Sequence, residues 1–87
     1  MKYFEKLIAR VDDGHWILLS YGLDSGWTFF IWGTYPHSGN LGRVTEEEAK
    51  KQALSSAKQH LEAHGLYIEI ADLSEVSWCV VMRYVAA

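Results

Sequence analysis

The stretch TEEEAKKQALSSAKQHLEAHG, residues 45–65, carries both a start signal and a stop signal for one helix. Thr45 can accept a hydrogen bond as the N-cap residue, and Glu48 stands three positions later, where its side chain can reach back to the Thr45 amide. Gly65 can take the left-handed conformation that ends a helix in a Schellman motif. The sequence therefore predicts one long helix across this stretch.

One side of the predicted helix carries mostly small apolar side chains. At about 100° per residue, five of them share one sector of the helix surface. They are Ala49, Ala53, Leu54, Ala57 and Leu61. A stripe of small side chains lets a helix lie close to its neighbour, so we expect this side to pack on a β-sheet.

The rest of the chain has the pattern of β-strands separated by turns. Strands are predicted at residues 3–11, 15–21, 27–35, 66–72 and 76–85, and an irregular connection is predicted at residues 36–44. The predicted fold class is α+β, an antiparallel β-sheet in the order β-β-β-α-β-β with one long helix packed on one face. We expect residues 1–87 to form a single domain.

Several predicted strands place large apolar side chains on both faces. Trp27, Phe29 and Ile31 share one parity, whereas Phe30 and Trp32 have the other. One helix is about 10 Å wide and a five-stranded sheet roughly 20 to 24 Å wide, so the helix covers about half of one sheet face. The sequence predicts no second element to cover the opposite face. A large apolar patch of this kind usually marks an interaction surface. Alternatively, a strongly coiled sheet folds around the helix and buries both faces within one chain.

A second copy of the chain is the simplest cover for the exposed face, so we predict a homodimer or a complex with another protein. The predicted interface residues are Trp27, Phe29, Ile31, Trp32, Trp78, Met82 and Tyr84. This predicts a non-enzymatic protein-interaction module, a self-associating small adaptor or inhibitor. The alternative is a small-molecule-binding protein or an enzyme with a pocket between the helix and the aromatic sheet, lined by Trp27, Trp32 and His64.

Motifs of catalysis and metal binding are weak in this sequence. His60 and His64 have the i, i+4 spacing that lets two imidazoles share a metal, but helix packing or capping explains them as well. The segment GNLGR, residues 39–43, precedes the helix as an anion-binding loop would, yet three glutamates follow it at positions 46–48. We predict no catalytic residue, no metal site and no cofactor.

The charge and composition of the chain limit the classes of partner that we expect it to bind. The chain of 87 residues has a net charge of −3, and its eight basic residues are scattered, so we predict no nucleic-acid binding although aromatic sheets can stack on bases. No apolar run approaches the roughly 20 residues of a membrane span. Cys79 is the single cysteine, and residues 1–13 lack the apolar core of a secretory signal. These features predict a cytoplasmic protein without membrane contact.

Overall fold

The structure is a computed structural model that describes residues 2–12, 14–67 and 76–86, with side chains described at 5–11, 14–67 and 76–81. Its elements are β1 (Lys2–Asp12), β2 (His15–Gly22), β3 (Gly26–Gly33), β4 (His37–Gly42), α1 (Glu46–Ala63) and β5 (Trp78–Ala86). The strands form one antiparallel sheet in the order β4-β3-β2-β1-β5. This confirms the predicted α+β class with one long helix.

The order of strands along the chain differs from the prediction at the connection before the helix. Residues 36–44 were expected to be irregular, but they contain β4, which pairs with β3. After the helix, Leu66 and Tyr67 lie outside any strand, and the remainder of the strand predicted at 66–72 lies outside the described residues. The final strand, β5, pairs with β1 at the other edge of the sheet.

A glycine explains how β4 passes beside β3. Gly39 lies opposite Phe29 in the strand register, and a Cβ atom added at Gly39 would stand 2.7 Å from Cε1 of the Phe29 ring. Only glycine leaves room for that ring, which is buried in the core. The turn-like composition of β4 therefore reflects a packing requirement at an edge strand.

Replacing Gly39 with alanine is expected to lower the free energy of unfolding by about 1–3 kcal/mol, because the new methyl group overlaps the buried Phe29 ring. Chemical denaturation followed by circular dichroism measures this change. The matched control is Ser38→Ala, at the exposed neighbouring position, with an expected change within about 0.5 kcal/mol. Equal stability of the two variants would show that packing of the Phe29 ring does not require a glycine at position 39.

The helix begins and ends where the sequence predicts. Thr45 is the N-cap residue, and its Oγ1 accepts a hydrogen bond from the Glu48 amide at 3.2 Å. The Glu48 carboxylate accepts from the Gln52 side chain instead of closing the reciprocal half of a capping box. At the other end, the Leu66 amide donates to the Leu61 carbonyl at 2.8 Å, and Gly65 has a φ of 82°, which is a Schellman stop.

The core lies between α1 and one face of the sheet. Alternate positions of the first three strands point toward the helix and are buried, as the period of a β-strand requires. They meet the predicted stripe of small helix residues, all of which are buried. The apolar sheet residues of this layer are Leu7, Ala9, Val11, Ile17, Leu19, Trp27, Phe29 and Ile31.

Candidate functional site

The sheet face opposite α1 is not covered by the described chain. We call it the outer face and define it by the outward positions of the first three strands, which are Lys6, Ile8, Arg10, Trp16, Leu18, Ser20, Thr28, Phe30 and Trp32. Large apolar side chains remain accessible there: Trp32 is 62% exposed, Phe30 42% and Trp16 38%. The sheet therefore does not curl to bury both of its faces.

The strand register aligns the outward side chains in rows across the sheet. The central row is apolar for three strands, because Ile8 lies opposite Leu18 and Leu18 lies opposite Phe30. It continues to Cys79 on β5 and to Ser38 on β4. Directly opposite residues of antiparallel strands share one face at Cβ separations of about 5 Å, so the row forms a continuous apolar band.

Rows on either side of this apolar band carry polar and charged groups. On one side, Arg10 lies beside Trp16, with the guanidinium carbon 5.9 Å from the ring centroid, and Trp16 lies opposite Trp32. On the other side, Lys6 lies opposite Ser20. None of the nine outward positions that define the outer face is Asp or Glu. The outer face is therefore an apolar band whose β1 side is basic.

A shallow pocket of about 350 Å³ opens on the outer face near β4. Its lining combines apolar side chains with hydroxyl and amide groups: Leu18, Ser20, Thr28, Phe29, Phe30, Ser38, Gly39 and Asn40. The Asn40 Oδ1 atom is occupied, because it accepts a hydrogen bond from the Gly42 amide at 2.9 Å. This pocket lies on the face away from α1, whereas the predicted pocket was to lie between helix and sheet.

The structure does not bring the three predicted ligand-binding residues together. Trp27 is buried under the helix and contacts the Tyr21 ring at a centroid distance of 5.0 Å. Trp32 projects from the outer face, on the other side of the sheet. His64 lies at the C-terminal end of α1 and stacks on Tyr35 at 4.3 Å.

The predicted interface residues divide between the two faces of the sheet. Trp27, Phe29 and Ile31 point toward α1 and are buried in the core, so the outer face is formed by their neighbours of opposite parity. Trp78 lies opposite Ala9 on the helix side, with the Lys50 Nζ atom 5.9 Å from its ring centroid. Trp32 alone of the seven has a described side chain on the outer face.

The last two predicted interface residues, Met82 and Tyr84, belong to β5, opposite Lys6 and Phe4 respectively. Their side chains lie outside the described part of the structure.

The four histidines of the chain gather around Tyr35, and we call this group the histidine–tyrosine cluster. Its members come from β2, the connection after β3, β4 and the end of α1; they are His15, Tyr35, His37, His60 and His64. The Tyr35 amide donates to Nε2 of His15 at 3.2 Å, and the Tyr35 carbonyl accepts from Nε2 of His60 at 3.1 Å. The cluster thus fixes the last turn of the helix to the sheet.

The metal hypothesis for the histidine pair finds no support in the ring geometry. His37 and His60 stack nearly parallel with centroids 4.6 Å apart, and Nε2 of His60 is engaged by the Tyr35 carbonyl. Within residues 2–12, 14–67 and 76–86, no group of three or more His, Cys, Asp or Glu side chains is arranged to hold a metal ion. The rings pack against one another instead of converging their nitrogens on one point.

Residues 39–43, predicted either as an anion-binding loop or as a plain connection, make contacts within the chain. Arg43 donates to the Asp24 carbonyl at 3.3 Å, and Gly42 takes a positive φ of 78° as β4 ends. The Arg43 cation therefore bonds to the β2–β3 turn. Residues 39–42 form part of β4, and Arg43 begins the connection to α1.

Sequence reasoning missed the central members of both groups. Phe30 and Leu18 lie in the apolar band, but their parity could not be distinguished from that of the core residues. The sequence predicted no role for Tyr35, because the residues that surround it in the fold are far away along the chain. The spacing of His60 and His64 was the one local signal for the cluster.

None of the helices within the described residues has the length and apolarity needed to cross a membrane. No protein-family model, curated protein or solved structure matches the chain.

Proposed function

We propose that this protein is a non-enzymatic interaction module that self-associates through the outer face. The observation that carries the proposal is that α1 packs on one face of the sheet while Trp16, Phe30 and Trp32 stay exposed on the other. Large aromatic side chains are the usual anchors of protein interfaces, because they bury much surface with little loss of side-chain entropy. The single cysteine, which is exposed, is consistent with a cytoplasmic setting for such a module.

The size of the outer face suits a second copy. The outer face and the adjoining β4 span four strands at about 4.8 Å spacing and about eight residues at roughly 3.4 Å each, which gives a projected face of about 19 by 27 Å, or roughly 500 Å². Standard interfaces bury about 600–1,000 Å² on each partner. Two outer faces packed about 10 Å apart would therefore approach the lower end of that range.

The distribution of charge on the outer face favours a two-fold arrangement. A two-fold axis parallel to the strands, between β2 and β3, places β1 of one copy over β4 of the other. The basic side chains Lys6 and Arg10 then face the strand that carries Ser38 and Asn40, not each other. This pairing avoids like-charge contacts and sets hydroxyl and amide oxygens across from the cations.

Sedimentation velocity tests the proposal on the unmodified chain. Over about 1 to 100 µM protein we expect the weight-average mass to rise from the 9.9 kDa of one chain toward twice that value, since self-association follows mass action. A folded species that remains at 9.9 kDa over the whole range would contradict self-association.

A further inference from the structure

We propose that the shallow pocket beside β4 receives the Lys6 side chain of the second copy, so that the two copies fill each other's pockets. This inference rests on the proposed self-association through the outer face, and it names the side chain of one copy that enters the other. A two-fold axis makes the contact reciprocal, so each dimer would contain it twice.

The pocket belongs to one row of outward positions that crosses the sheet from β1 to β4. We call it the polar row; in strand order its members are Lys6, Ser20, Thr28 and Asn40. The last three line the pocket, whereas Lys6 lies two strands away from its centre. The pocket is therefore a depression with short polar side chains along one side, and the one long side chain of the row lies outside it.

The pocket offers oxygen atoms to a hydrogen-bond donor. The Thr28 hydroxyl donates its hydrogen to the Ser20 carbonyl at 3.5 Å, which leaves the lone pairs of Oγ1 to accept. The Ser20 and Ser38 hydroxyl oxygens are acceptors as well. None of the lining residues is acidic or basic. A lysine ammonium has three N–H donors and no acceptor, so it suits this set of oxygens.

Lys6 is the cation of the outer face that lies level with the pocket. Its side chain is exposed, and a lysine can lay its four-carbon stem along an apolar surface while its ammonium reaches polar atoms. Leu18 and Phe30 provide such a surface in the pocket lining. Arg10, the other cation, lies on the far side of the apolar band, 5.9 Å from the Trp16 ring.

Two-fold symmetry brings Lys6 to the pocket of the second copy. An axis parallel to the strands keeps each row at its own level and exchanges the two sides of the sheet. With the axis between β2 and β3, Lys6 on β1 therefore lies over Asn40 on β4 of the second copy, across the roughly 10 Å between packed sheets. An axis perpendicular to the strands would instead set Lys6 over Arg10 of the second copy, which brings like charges together.

The contact also answers a desolvation cost. When a second copy covers the outer face, it removes water from the hydroxyl groups of Ser20, Thr28 and Ser38. Covered hydroxyl groups cost free energy unless a hydrogen-bond partner replaces the lost water. The facing positions Ser20 and Thr28 have short side chains on both copies, so Lys6 is the member of the polar row that is long enough to enter the pocket.

Cysteine cross-linking tests which residues face each other. Cys79 is first replaced with serine, because it is exposed. A Lys6→Cys chain is then mixed with an Asn40→Cys chain, and a bismaleimide whose linker matches the gap between packed sheets is added. Covalent dimers are expected to form at least about tenfold faster in the mixture than with either variant alone, since identical positions of the two copies are offset sideways by three strands, or roughly 14 Å.

A mixture of Lys6→Cys and Arg10→Cys chains is the matched comparison, because an axis perpendicular to the strands would bring these two positions together. If sedimentation shows self-association but positions 6 and 40 are not linked preferentially, the lysine contact is wrong and the proposed function stands. Preferential linkage of positions 6 and 10 would overturn the contact in the same way. A chain that stays monomeric in sedimentation would overturn both.

Replacing Lys6 with methionine provides a second readout that leaves Asn40 in place. Methionine keeps a long unbranched stem but lacks the ammonium, so the dimer dissociation constant is expected to rise at least about tenfold. The control is Lys51→Met, which removes the same charge from an exposed position of α1 and is expected to change the constant less than about twofold. Sedimentation velocity measures both constants, and equal constants for the two variants would contradict the contact.

Discussion

Replacing Ile31 with alanine is expected to lower the free energy of unfolding by about 2–5 kcal/mol. Ile31 has no exposed surface, and it lies in the layer between β3 and α1. Truncation removes buried methyl and methylene groups and leaves a cavity that the close-packed core can fill only in part. Urea denaturation, with the transition followed by circular dichroism, measures the loss.

The matched control for Ile31 is Leu23→Ala. Leu23 is an apolar residue of the same size, but it is exposed in the turn between β2 and β3. Its truncation is expected to change the free energy of unfolding by no more than about 0.5 kcal/mol. If Ile31→Ala lowered the free energy of unfolding as little as Leu23→Ala does, the assignment of this strand parity to the core would be wrong.

Replacing Trp32 with arginine is expected to weaken self-association at least about 30-fold while the monomer stays folded. Trp32 directly follows Ile31 but points to the outer face, where 62% of its surface is accessible in one chain. An arginine there puts a further positive charge on a face that already carries Arg10 and Lys6, and it removes an aromatic anchor.

Sedimentation of the Trp32→Arg variant gives its dimer dissociation constant, and circular dichroism checks its fold. The control is Leu23→Arg, which adds the same charge in the β2–β3 turn and is expected to keep the wild-type constant. Loss of the fold in Trp32→Arg would place Trp32 in the core. An unchanged dimer dissociation constant would show that Trp32 lies outside the interface.

The helix could be predicted from the sequence because its signals are local. Thr45 and Gly65 act within one turn of the helix ends, and the alanine stripe follows from the helical repeat alone. The strand β4 could not be predicted, since Gly39 is required by the Phe29 ring of a neighbouring strand and reads in isolation as a turn residue.

The identity of the outer face also depends on information that the sequence does not contain. In 29–32 both parities are aromatic or aliphatic, so a shift by one residue exchanges core and surface without changing the pattern. The position of the helix resolves this, because it covers Ile31 and leaves Trp32 accessible. For the histidine–tyrosine cluster, only the i, i+4 pair is local; the sheet register brings in the other members.

The most direct test of a homotypic outer face is isotope-filtered NMR on an equal mixture of ¹³C-labelled and unlabelled chains. If two outer faces pack together, intermolecular NOEs connect Phe30, Leu18 and Trp32 to the second copy, and the buried Ile31 and Leu61 show none. A mixture without intermolecular NOEs, or with NOEs confined to the helix surface, would contradict self-association through the outer face.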